Sequence, residues 1–176
     1  DGTHFTAESS EGTSSRIQCA GDEPCRGIID IRGTAEAVFY GNIGDQNING
    51  ANALKRYIQI RLSEGEPDVT LANPGSNSSI GNVGFSIQAG EMTLGSSNSS
   101  PVYLAYKSEH SKIEVGGSGR LKIAGNVQME SQTSYLTLSP DAGCAHSPLV
   151  VQNRGELDNQ AVITGVSGCK QPLILI

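Results

Sequence analysis

Three observations on this chain of 176 residues predict an all-β fold. Apolar and polar residues alternate in several runs, turn formers punctuate those runs, and no segment sustains a helical period. Glycine alone accounts for 22 residues, tryptophan is absent, and aromatic residues make up 5%. The architecture expected is an antiparallel two-sheet β-sandwich, jelly-roll-like, with a right-handed β-helix (solenoid) as the alternative.

Residues 1–15, DGTHFTAESSEGTSS, are polar and aperiodic, and only Phe5 could anchor them. They read as a flexible N-terminal arm, leaving 16–176 as a single β domain. In that domain Ile29, Ile31, Gly33, Ala35, Ala37 and Phe39 alternate with Asp30, Arg32, Thr34, Glu36, Val38 and Tyr40. Period 2 over a dozen residues predicts a long strand with one buried face. The segment from Ala51 is ambiguous. Leu54, Tyr57, Ile58, Arg61 and Leu62 would share a helix face, whereas Ile58, Ile60 and Leu62 would share a strand face. A strand from Arg56 is favoured because β-branched residues alternate there, with a single helical turn possible at 51–55.

Further strands are expected over 68–72, 83–89 with 91–94, 102–106, 112–115, 120–130, 135–138, 149–152, 160–164 and 172–176. The link Gly116-Gly117-Ser118-Gly119 reads as a hairpin turn. The segments Ile29–Gly33, Ile113–Gly117 and Leu121–Gly125 resemble the corners of a coil. A solenoid should repeat at one period, but the intervals from Ile29 to Ile113 and from Ile113 to Leu121 share no plausible coil length. Long alternating strands with one polar face fit antiparallel sheets better. The segment around Ile17-Gln18-Cys19 and Cys25 is similar to cysteine-bearing coils of some secreted β-helix proteins; it is short and implies no family.

Charge and cysteines define the setting. A net charge of −6 argues against nucleic acid and anionic membranes as main partners, and no apolar stretch is long enough for a membrane span. Cys19, Cys25, Cys144 and Cys169 lack CxxC spacing and predict two disulfides. Proximity favours Cys19–Cys25 and Cys144–Cys169. Such bonds imply an oxidising compartment, hence a secreted or cell-surface protein. Asn77 and Asn98 each begin an Asn-X-Ser sequon and are candidate glycosylation sites.

Chemistry is sparse. Asp45-Gln46-Asn47-Ile48-Asn49-Gly50 matches the first half of a calcium loop, with oxygen side chains at alternate positions. The bidentate Glu expected at its twelfth position is replaced by Arg56, so Asp45, Asn47 and Asn49 form at most a partial calcium site beside the plainer reading of an Asx-rich turn. His4, His110 and His146 are scattered, and no nucleophile, zinc or phosphate motif occurs. No cofactor and no enzyme activity is expected, although paired carboxylates of the glycosidase kind meet only in three dimensions. The chain ends on Leu173, Ile174, Leu175 and Ile176, apolar on both strand faces. These residues could be a core strand or, with Phe5, an assembly element that completes a second copy. The function expected is an extracellular structural protein, a self-assembling pilus-like filament or adhesin subunit joined by β-strand addition, with itself as partner. The alternative is a carbohydrate-binding module or a polysaccharide-acting β-helix, with glycans as partners.

Overall fold

The computed structural model describes residues 4–7, 16–17, 25–40, 42–44, 56–72, 79–81, 83–95, 102–105, 112–129, 134–143, 145–152, 156–157, 161–165 and 169–176. The chain winds as a parallel β-helix with three strands per coil. The first coil carries β1 (His4–Ala7), β2 (Arg16–Ile17) and β3 (Cys25–Gly33), and the second β4 (Glu36–Tyr40), β5 (Asn42–Gly44) and β6 (Arg56–Gly65). The third carries β7 (Asp68–Ala72), β8 (Ser79–Gly81) and β9 (Val83–Ile87), and the fourth β10 (Glu91–Leu94), β11 (Val102–Ala105) and β12 (Ile113–Gly117). The fifth carries β13 (Arg120–Ile123), β14 (Asn126–Met129) and β15 (Ser134–Pro140), and the sixth β16 (Leu149–Val151), β17 (Glu156–Leu157) and β18 (Ala161–Gly165); β19 (Ile174–Leu175) opens a seventh.

Every third strand joins the same sheet. Sheet A is β1-β4-β7-β10-β13-β16-β19, sheet B runs from β2 to β17, and sheet C from β3 to β18. Neighbouring strands in each sheet are parallel, as β4 with β7, β8 with β11 and β12 with β15 show. This overturns the antiparallel sandwich. The sandwich rested on period 2 over Ile29–Tyr40, but that run is two strands on two sheets. Gly33, with φ of +71°, turns the corner between β3 and β4, and Ile31 and Ala37 still both face inward. Alternation persists through a corner, so it does not reveal the bend. Gly116–Gly119 is likewise no hairpin: β12 lies in sheet C and β13 in sheet A.

Solenoid stacking explains the core. Inward positions of sheet C form the rows Ile29–Ile60–Phe85–Ile113–Leu136 and Ile31–Leu62–Ile87–Val115–Leu138. Sheet A supplies Ala37–Val69–Met92–Leu121–Leu149 and Leu71–Leu94–Ile123–Val151. Most of these side chains are fully buried, and each such Leu, Ile or Val contributes roughly 1.5–3 kcal/mol. A coil of this width is closed by small turns, and two glycines show why. Gly65 has φ of +83° and a Cβ there would sit 2.6 Å from the Gly33 carbonyl oxygen; Gly90 has φ of +68° and its Cβ would sit 2.1 Å from that of Pro67. Only glycine lets successive corners stack so closely.

The pilus-like filament and adhesin reading falls with the sandwich. Strand addition of that kind completes an antiparallel subunit, and the sheets here are parallel throughout the described pairings. Four residues of the expected arm, His4–Ala7, form β1 and pair with Glu36–Phe39. At the other end, Leu173 packs against the core, while Ile174, Leu175 and Ile176 are 39%, 50% and 97% exposed, with Ile174 and Leu175 pairing along β16. Among the described residues, no helix is long and apolar enough to cross a membrane.

Candidate functional site

The corners between sheets C and A stack into a groove of about 440 Å³ that crosses four successive turns of the solenoid. It is lined by Gly65, Pro67 and Gly90 together with Glu66, Asp68, Glu91, Ser118, Arg120 and His146. The backbone holds this arrangement. Glu91 N donates to Pro67 O at 2.9 Å, Arg120 N to Gly90 O at 2.9 Å, and Ser118 N to Gln88 O at 3.1 Å. Asp68, Glu91 and Arg120 each begin a strand of sheet A and are register partners. Their side chains therefore leave the same face of adjacent strands, about 4.8 Å apart.

The polar groups divide by partner. Arg120 Nη1 lies 3.2 Å from Glu91 Oε2, and Lys122 Nζ lies 3.7 Å from Glu91 Oε1. Arg120 Nε is shut off from solvent without a hydrogen-bond partner among the described residues. His146 Nε2 donates to the Ser118 carbonyl oxygen at 3.0 Å. A carbonyl can only accept, so that nitrogen carries the proton and a neutral ring leaves Nδ1 as an acceptor. Asp68 makes no side-chain hydrogen bond or ion pair among the described residues. Its carboxyl is pushed above the ordinary carboxylate range, first by burial against the groove wall, then by the charges of Glu91 and Glu36, with Lys122 opposing. The residue as a whole remains exposed, so the burial is partial.

A second charged cluster lies on sheet C. Asp30 accepts from Arg32 Nε at 3.0 Å, from Arg32 Nη2 at 2.5 Å and from Ser63 Oγ at 2.6 Å. These hydrogen bonds, Arg32 foremost, hold the Asp30 carboxyl below its usual range. Ser63 reaches Asp30 because the register between β3 and β6 shifts after Ile31, so that Arg32 pairs with Glu64. Arg32 is exposed and the Asp30 side chain is partly covered by its partners.

The residues singled out from sequence lie elsewhere. Asp45, Asn47 and Asn49, the candidate calcium ligands, fall outside the described residues, as do Asn77 and Asn98. Among the described residues no group of three His, Cys, Asp or Glu could hold a metal ion. Phe5 is placed by its backbone in β1, its side chain lying outside the described residues. No complete disulfide lies among the described residues. Cys19, Cys144 and the side chain of Cys25 are outside them, and with these both expected pairings. Cys169 is disulfide-bonded, and its Sγ lies 3.8 Å from the His146 carbonyl oxygen. Asp68, Glu91 and Arg120 belong to no functional motif that the sequence alone displays. The signal was a charged residue recurring just after a corner glycine, in Gly65-Glu-Pro-Asp68, Gly90-Glu91 and Gly119-Arg120.

No protein-family model, curated protein or solved structure matches this chain.

Proposed function

We propose that the chain is an extracellular polysaccharide-binding β-helix whose glycan lies in the groove between sheets C and A. The observation that carries this reading is the groove itself: an open channel across four stacked corners, walled by carboxylates, a guanidinium, an imidazole and the Ser118 turn. Sugar hydroxyls donate and accept at once, and such a lining offers both acceptors and donors. A long ligand suits a site that repeats one corner after another, because each coil presents a further set of polar groups. The disulfide at Cys169 supports an oxidising setting.

Affinity electrophoresis of the full chain through gels containing amylose or mixed-linkage β-glucan tests the reading. Retardation is expected, and Ser118→Trp should abolish it, since Ser118 is an exposed residue that lines the groove and a bulky ring there obstructs the channel. Unretarded migration of the wild type in every glycan gel sinks the proposal.

A further inference from the structure

We propose that the same groove hydrolyses glycosidic bonds, with Asp68 as proton donor, Glu91 as nucleophile and an uncharged polysaccharide as substrate. This rests on the glycan-binding reading above. Two carboxylates face one groove from register-paired positions on adjacent strands. With backbones about 4.8 Å apart, side chains of these lengths can bring their carboxyl groups to the separation of about 5–5.5 Å that retaining glycosidases use.

Their surroundings differ in the way such chemistry requires. Asp68 has no hydrogen bond or ion pair among the described residues, and partial burial beside Glu91 and Glu36 favours its protonated form. Glu91 is held by Arg120 and Lys122. In the first step the Asp68 proton moves to the glycosidic oxygen as the C1–O bond breaks and its electron pair leaves with that oxygen. A Glu91 oxygen bonds to C1. In the second step water attacks C1, the Glu91–C1 bond breaks with its pair returning to the carboxylate, and Asp68 takes the water proton. Arg120 and Lys122 stabilise the departing Glu91 carboxylate. The two carboxyls then regain their starting states, and one water is consumed per bond.

Charge selects the substrate. Glu66, Asp68 and Glu91 outnumber Arg120 and Lys122, and both cations already face Glu91. A polyanionic glycan is repelled. A polycationic one brings positive charge beside Asp68, favours its ionised form and removes the proton the first step needs.

The full chain is incubated with amylose, mixed-linkage β-glucan, polygalacturonate and chitosan. Released reducing ends are measured, and the first-formed anomer is read by NMR. Release is expected from a neutral polymer, with retained configuration. Asp68→Asn should lower kcat roughly 100-fold or more with KM little changed, and retardation in glycan gels should persist. Asp68 has no structural partner among the described residues, so this variant keeps the fold, which circular dichroism checks. Binding without release from either neutral polymer overturns the hydrolysis and leaves the binding reading standing. Undiminished release by Asp68→Asn overturns the role of Asp68. Inversion overturns the role of Glu91, and cleavage of polygalacturonate or chitosan alone overturns the substrate class. No retardation by any glycan overturns the binding reading, and the inference with it.

Discussion

Asp30 and Asp68 occupy similar places and behave in opposite ways. Both are exposed outward-facing residues of a parallel sheet, one on sheet C and one on sheet A. Asp30 meets Arg32 two residues along its own strand and Ser63 from the next coil, and its carboxyl is held low. Asp68 has Glu36 on one side and Glu91 on the other, in register, and its carboxyl is pushed up. In a β-helix the closest neighbours of an outward side chain are its row partners a full coil away. Asp30 finds its cation on its own strand, whereas Asp68, partly buried, has like charges on both sides of its row and is pushed the other way.

The largest expected effect comes from breaking the groove while sparing the Asp30 cluster. Gly90→Ala puts a Cβ against the Pro67 carbonyl oxygen at a positive φ and should cost roughly 3 kcal/mol through strain and displacement of the corner. Gly33→Ala has the same kind of φ but open space around its Cβ. It should cost about 1–2 kcal/mol, the left-handed penalty alone. Chemical denaturation of both variants checks the difference, and equal losses would show that the stacked contact is not what shapes the groove.

The next effect is on pH dependence and has opposite sign at the two aspartates. The folded pKa of Asp68 is raised, so its stabilisation is present below the unfolded value and is lost as pH rises through the folded one. Asp68→Asn should therefore melt at a higher temperature than wild type near neutral pH, with the gap closing in acid. The folded pKa of Asp30 is lowered, so its stabilisation is present above the unfolded value and is lost as pH falls through the folded one. Asp30→Asn should melt slightly below wild type at neutral pH and match it in strong acid. Thermal melts across pH read both, and gaps of the same sign would refute the comparison.

A finer test sharpens the cause. Glu91→Gln removes one like charge beside Asp68 while burial stays, so the Asp68 carboxyl should titrate lower but still above its ordinary range. Carbon NMR of that carboxyl follows it. The smallest effect is expected from Arg32→Ala. An exposed ion pair is weakened by solvent and salt, so the thermal midpoint should hardly move, whereas the Asp30 carboxyl should titrate higher.

Local chemistry alone established that the described elements are strands. Strands begin and end close to where Arg56–Gly65, Asp68–Ala72 and Ser134–Pro140 show alternation and β-branched residues, because that pattern depends only on neighbours in sequence. The stacking of coils was decided in three dimensions. The register runs from Ile31 through Leu62 and Ile87 to Val115, one coil at a time, and the chain between successive partners differs in length at every step. Ile113 and Leu121 are not a repeat at all: they flank one corner, in β12 and β13. Unequal loops between strands hide the period from a fixed-interval comparison, yet main-chain pairing cancels those loops and brings the strands into register. The groove has the same origin. Asp68, Glu91 and Arg120 are each separated by a full coil of chain, and only parallel register puts them side by side. The Asp30–Arg32 pair lies within one strand and depends on neighbours in sequence, whereas the burial and the like-charged row partners that act on Asp68 exist only once the coils stack.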